Sequence, residues 1–162
     1  MIVVSDTSPL RALISLGQFN LLNELFGKIV IPNAVKEELL SIKNLNTDIQ
    51  LQLSYKWVEI RQVNDQQELK ELMNHLDSGE SEAILLAKEL NCNLLLMDEK
   101  KGRSMAKSCN LEVLGLVGIL ILAKNKFRIP YIKPLIDRLR NEYGFWISDD
   151  FYKKILKTVG ES

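Results

Sequence analysis

Ile2-Val3-Val4-Ser5-Asp6-Thr7-Ser8-Pro9-Leu10 opens the chain. Three β-branched residues in a row read as a buried strand. Asp6 stands where that strand ends, and Ser8-Pro9 reads as the start of a helix, because proline suits the first helical turn. The same grammar returns further along. Lys28-Ile29-Val30-Ile31 is a second strand, closed by Pro32. Trp57-Val58-Glu59-Ile60 is a third, and its alternation marks a sheet edge. Leu94-Leu95-Leu96-Met97 is a fourth and ends in Asp98, and Leu111-Glu112-Val113-Leu114 is a short fifth. Between the strands, apolar residues recur three and four apart over 9–26 (two helices broken at Gly17), 33–43, 65–76, 79–90, 100–109 and 116–124. This alternation predicts an α/β fold, a parallel sheet with helices on both faces. The stretch 44–56 reads either as a short helix or as a loop. Residues 131–159 read as two further amphipathic helices around Gly144, with Ser148-Asp149-Asp150 starting the last. No repeat or linker divides the chain, so one domain is expected over 1–162, with a core over 1–124 and a C-terminal helical extension over 125–162.

Composition narrows the function. Of 162 residues 46% are hydrophobic, enough for a sizeable core. Lys+Arg and Asp+Glu both number 21, which excludes a strongly basic nucleic-acid coat but leaves room for a local basic patch. No run of about 18 apolar residues occurs, so no membrane span is expected. The first residues lack the charged and apolar regions of a signal peptide. Cys92 and Cys109 form no Cys-x-x-Cys pair and read as buried free thiols of a reducing cytoplasm. His75 is the one histidine and reads as a surface residue. Zinc sites and Ser-His-Asp sites therefore lack their parts, and any catalysis would rest on carboxylates.

Several acids stand where a plain surface or core explains them poorly. In an open parallel sheet, ligands bind beyond the carboxyl ends of the strands, where Asp6 and Asp98 fall. Each has two readings, ligand or cap of the helix that follows it. On the helix after Pro32, Glu37 points outward while Glu38 lies at the margin of the apolar face made by Val35, Leu39 and Ile42. Burial there is costly unless the charge is paired or bound to metal, so ligand and salt-bridged residue both stand. Asp77-x-x-Glu80 reads as a capping box, which explains Glu80 structurally. Capping does not explain Glu82, although a solvated face could. Crowded carboxylates are the donor set of a hard divalent cation.

Four segments carry a resemblance. Val3 to Leu10, Ile31-Pro32-Asn33-Ala34-Val35-Lys36-Glu37-Glu38-Leu39, Gly79-Glu80-Ser81-Glu82-Ala83-Ile84-Leu85-Leu86-Ala87 and Leu94 to Arg103 follow, in order and spacing, the motifs of the PIN-domain nucleases. The chain resembles the branch related to VapC-like toxins of toxin–antitoxin pairs. The Gly115-to-Leu120 segment and the helical tail resemble that branch too. The resemblance implies a three-layer α/β/α fold with a parallel sheet of order 3-2-1-4-5. It implies a Mg²⁺- or Mn²⁺-dependent endoribonuclease acting on RNA, the toxin of a type II pair. It places the metal-binding and catalytic acids at Asp6, Glu38, Glu82 and Asp98, with Glu80 and Glu99 in reserve and the hydroxyl of Thr7 or Ser8 in support. A small antitoxin and a homodimer are the partners it implies, with the helices over 9–26 and 116–124 offering the surface. Two positions depart from the pattern: Arg11 stands where an apolar residue is expected, and Glu99 where Asp is common. Beside the acids, Lys100, Lys101 and Arg103 are expected to bind RNA; Lys107 shares a helical face with Lys100 and Arg103.

Other phosphoryl-transfer folds fit less well. A haloacid-dehalogenase-like phosphatase wants Asp at position 8, which is Ser, and a receiver domain wants an acid after the third strand. A dinucleotide-binding site wants Gly-x-Gly-x-x-Gly after the first strand. The alternative from another class is a catalytically silent PIN-like module that binds RNA or protein, its acids kept as caps.

Overall fold

Five short parallel strands run in the order β3-β2-β1-β4-β5 in the computed structural model, which describes residues 1–45 and 47–162. They are β1 (Val3–Ser5), β2 (Ile29–Pro32), β3 (Val58–Arg61), β4 (Leu94–Leu96) and β5 (Val113–Leu114). The expected α/β/α architecture and sheet order are the ones observed. The strands are buried on both faces, as parallel sheets are. Alternation then divides neighbours between two cores. Val3, Ile29, Ile31 and Leu96 enter one, and Val4, Val30, Leu95 and Met97 the other. The edge strand β3 is partly exposed, as its alternation foretold, and so is the opposite edge strand β5.

The first core is covered by α1 (Thr7–Ser15), α2 (Leu21–Phe26), α3 (Asn33–Leu40), α4 (Ile49–Leu53), α8 (Leu116–Asn125), α9 (Lys133–Glu142) and α10 (Asp149–Val159). The second is covered by α5 (Gln66–Met73), α6 (Ser78–Glu89) and α7 (Lys100–Ser108). Gly17, at φ 68°, breaks the first helical stretch into α1 and α2. Asp65, Asp77 and Ser148 accept N–H bonds at the starts of α5, α6 and α10, so these helices cap themselves. Within 44–56 the described residues include the helix α4; Asn46 lies outside the described residues. Cys92 and Cys109 are free and half-buried rather than fully buried, and His75 is exposed. Among the described residues no helix is long and apolar enough to cross a membrane.

The chain end is tied down. Glu161 accepts the N–H of Ile132 and of Lys133 at the start of α9, and pairs with Lys124 of α8 at 2.7 Å. Burial alone would push its carboxyl up, but the Ile132 N–H, Lys124 and the Lys133 N–H hold it below the usual range.

Candidate active site

β1 and β4 pair in parallel with Ser5 opposite Leu96, so Asp6 and Asp98 leave the sheet at the same edge. The Asp6 N–H continues the ladder, donating to the Leu96 carbonyl at 2.9 Å. Asp6 is 3% exposed. It occupies the N-cap position of α1, yet its side chain makes no cap hydrogen bond. Of its two readings, the cap is the one the side chain does not take. Burial pushes its pKa up to about 7; the adjacent Thr7 N–H pulls it back, while Asp77, Glu80 and Glu38 add repulsion.

Glu38 is brought there by α3. The Thr7 hydroxyl donates to Glu38 Oε2. The carboxylate also lies against the first turn of α6, where a Cβ on the buried Gly79 would overlap it. Glycine at 79 is what lets α6 close onto Glu38. Glu80 follows on the same turn. Its N–H is held by Asp77 Oδ1 at 2.8 Å, as a capping box requires. Burial first, and then the Asp77 charge, raises its pKa; the Asp77 N–H opposes them, and Glu99 and Glu38 add to the rise.

Glu82, expected among these acids, has one carboxylate oxygen engaged by a backbone group. Its Oε1 accepts the Ala34 N–H at 3.1 Å, one turn along the seam between α3 and α6. The reason lies in α3 itself: its N-cap is Pro32, which has no side-chain acceptor, so an N–H of its first turn finds one 48 positions later. The signal was legible as a helix start without Ser, Thr, Asp or Asn before it. Asp98 is a second long-range cap. Its Oδ1 accepts the Leu116 N–H at 2.8 Å, because the N-cap of α8 is Gly115. The cap reading had assigned it to the helix α7, whose N-cap position falls to Glu99 with no side-chain bond. The other oxygen of Asp98, Oδ2, is buried without a hydrogen-bond partner. Burial raises its pKa, opposed by the Leu116 N–H and by the Arg103 guanidinium, while Glu99 adds to the rise. Arg103 Nη1 also donates to the Met97 carbonyl at 3.3 Å, so this residue, expected on RNA, is partly committed to the site's own wall.

The charges of Asp77, Glu80 and Glu38 raise the pKa of Asp6, those of Asp77, Glu99 and Glu38 raise that of Glu80, and that of Glu99 raises that of Asp98. All donors are oxygens, as a hard cation requires. The partnerless Asp98 Oδ2 and the acids crowded near the buried Asp6 are the groups a cation would satisfy. As the side chains stand, no three Asp, Glu, His or Cys groups form a ready ion cage among the described residues. From Asp98 and Glu99 a groove of about 1290 Å³ runs past Ser8, Arg11, Lys100 and Lys107; Lys101 does not line it. Arg11, which departs from the family pattern in sequence, lines this groove, and Asp77, which reads as a cap, also adds its charge at Asp6.

Three comparisons bear on this arrangement. A family model described as a PIN domain (DUF3368) matches residues 2–161. A solved PilT N-terminus domain protein from the hyperthermophilic archaeon Sulfolobus solfataricus P2 is similar in fold, with 23% identity and a TM-score of 0.53 over 74% of this chain and 91% of that one. No curated protein matches.

Proposed function

The chain belongs to the PIN-domain family, generally a nuclease fold, and from that premise we propose that it is a divalent-metal-dependent endoribonuclease hydrolysing RNA phosphodiesters. The observation that carries this reading is the crowding of Glu38, Glu80 and Asp77 around a buried Asp6 whose side chain caps nothing. Asp6, Glu38 and Asp98 are the residues that would hold Mg²⁺ or Mn²⁺, with Glu80 and Glu99 in support and Glu82 giving one oxygen to the Ala34 N–H. When bound, such an ion supplies charge neutralisation at the phosphodiester and activation of water. The chain's own groups do the positioning. Thr7 fixes one oxygen of Glu38. The Leu116 N–H fixes Asp98 Oδ1 and leaves Oδ2 free. Arg103, beside Asp98, supplies fixed positive charge at the mouth of the groove.

One observation favours the silent binding module instead: Glu82 and Asp98 both serve as caps. Incubating defined single-stranded RNAs with wild type and Asp6→Asn, in Mn²⁺ and in EDTA, separates the two. The nuclease reading expects cleavage that needs metal and falls on Asp6→Asn by more than the roughly 10–100-fold that losing an outer-shell partner costs a metal site. Cleavage unaffected by EDTA or by Asp6→Asn overturns it, and binding without cleavage favours the module.

From the resemblance to VapC-like toxins we further propose a cytoplasmic toxin of a type II pair, held by a small antitoxin and dimerising. The half-buried apolar residues Ile121 and Leu122 of α8 support a protein-binding face. Light scattering at high concentration tests the dimer, and co-purification with the neighbouring gene's product tests the antitoxin. A monodisperse monomer with no companion counts against both.

A further inference from the structure

The groove that leaves the acidic site has two unlike walls. One is positive: Arg11 from α1, and Lys100 and Lys107 from α7. None of these three forms an ion pair among the described residues. In a chain of zero net charge this is a local concentration of unpaired cations. The helix α7 repeats its cations at Lys100, Arg103 and Lys107, about one 5.4 Å turn apart. The other wall is aromatic, made of Tyr143, Trp146 and Phe151.

The aromatic wall is built rather than left over. After α9 the chain reverses at Gly144, whose φ of 64° is the left-handed conformation glycine adopts without strain. The Phe145 N–H then donates to the Leu139 carbonyl at 2.9 Å. Phe145 packs against the core and Ile147 is buried in it. With its neighbours anchored inward, Trp146 is thrown outward and is 84% exposed. Ser148 then caps α10 and brings Phe151 to the same groove. A tryptophan held in water between a half-buried and a buried neighbour is a platform awaiting a flat apolar partner.

We propose that this groove is the track of a single-stranded polynucleotide leaving the acidic site, with phosphates along Arg11, Lys100 and Lys107 and a base stacked on Trp146. The proposal rests on the nuclease reading of the acids. Its chemistry is complementary on both walls: cations face phosphates, and an aromatic face meets a base face. A duplex hides its base faces within the stack, so only an unpaired strand uses both walls. Arg11, which departs from the family pattern and is exposed on α1, gains a purpose here.

The test is binding in EDTA, so that cleavage plays no part. A short fluorescein-labelled oligouridylate is titrated with wild type, Trp146→Ala, Trp146→Phe, Arg11→Ala and Lys70→Ala; Lys70 lies on α5 and does not line the groove. Trp146→Ala is expected to weaken binding roughly 5- to 150-fold, the range for loss of one stacked base, and Trp146→Phe to restore most of it. Quenching of tryptophan fluorescence on binding is expected in wild type and lost in Trp146→Ala. Arg11→Ala is expected to lower the slope of log affinity against log salt by roughly 0.7, one phosphate's share. Lys70→Ala binds as wild type, and melting curves check that each variant is folded. Wild-type affinity in both Trp146→Ala and Arg11→Ala overturns the proposal, as does equal affinity for duplex RNA. A change in self-association on Trp146→Ala without a change in RNA affinity assigns the groove to protein and also overturns it. Strand binding at Trp146 without metal-dependent cleavage would leave this track standing and remove the nuclease reading. Cleavage indifferent to Trp146 would do the reverse.

Discussion

At Asp6 the backbone and the side chain have separate jobs. The backbone extends the sheet to Leu96, while the carboxyl is buried among acids with no cap to make. The consequence is a measurable pH dependence. Asp6 titrates near 3.8 in an unfolded chain and near 7 in the fold. Between these values the unfolded chain has released its proton and the folded chain keeps it. Each rise in pH therefore favours unfolding, and the full cost, up to a few kcal/mol, is present above about pH 7. In EDTA, the Tm of wild type relative to Asp6→Asn is expected to fall from about pH 4 to about pH 7, and Asp6→Asn to melt higher than wild type near pH 8. A variant that melts lower there shows that Asp6 stabilises as an ordinary polar residue. Gly79 gives a second test. Alanine gains up to about 1 kcal/mol over glycine in a helix, but its Cβ would overlap the Glu38 carboxylate. Because that carboxylate ends a flexible side chain, Gly79→Ala is expected to stay folded and lose cleavage activity. Unchanged activity at unchanged stability would show that Glu38 is free to move without consequence.

Among the elements, α3 and α8 share a defect and a remedy. Their N-caps, Pro32 and Gly115, offer no side-chain acceptor, and acids from elsewhere in the sequence supply one. Glu82→Ala is expected to cost roughly 0.5–2 kcal/mol, the usual worth of a cap. Glu82→Gln keeps an acceptor oxygen and should lose little stability and little activity, whereas Asp6→Asn loses activity. Chemical denaturation and the cleavage assay together read the two effects; a Glu82→Gln variant as inactive as Asp6→Asn would return Glu82 to the metal site. A third long-range cap, Glu161, closes the C-terminal helices. Its folded pKa is depressed, so its contribution is present above the unfolded carboxylate range and is lost as pH falls through the folded value. Glu161→Ala is expected to cost about 1–3 kcal/mol at neutral pH, because two N–H groups and Lys124 lose their acceptor. A difference that failed to shrink toward acid pH would contradict this.

Across the whole molecule, the site lies where the sheet's central strands end, joined to a groove closed by the C-terminal helices. An acidic cluster that repels itself is relieved by any cation that binds the folded state alone. Mn²⁺ at about 100 times its Kd is expected to stabilise wild type by roughly 2.7 kcal/mol, seen as a rise in Tm. Asp6→Asn should blunt that rise. A wild type indifferent to Mn²⁺ in thermal melts would remove the metal from the account.

Periodicity and residue type determined the framework by themselves. The β-branched and leucine runs at Val3, Ile29 and Leu94 could lie only in a doubly covered parallel sheet, and Gly17, Ser148 and Asp77 marked their own turns and caps. These are local preferences, so they are legible without neighbours. Asp6 and Asp98 were legible as strand-end acids for the same reason. What the chain could not reveal residue by residue was how an acid spends its lone pairs. Glu82 read as a ligand by resemblance or as part of a solvated face; the N–H that one of its oxygens meets belongs to Ala34 on another helix. Glu80 looked spent as part of a capping box, until packing set its carboxyl against Glu38 and Glu99. Arg11 looked misplaced until the helix α7 and the Tyr143–Phe151 segment closed a groove around it. Local structure follows from neighbours a few positions apart, but the charge a carboxyl feels depends on groups that only tertiary packing brings within reach.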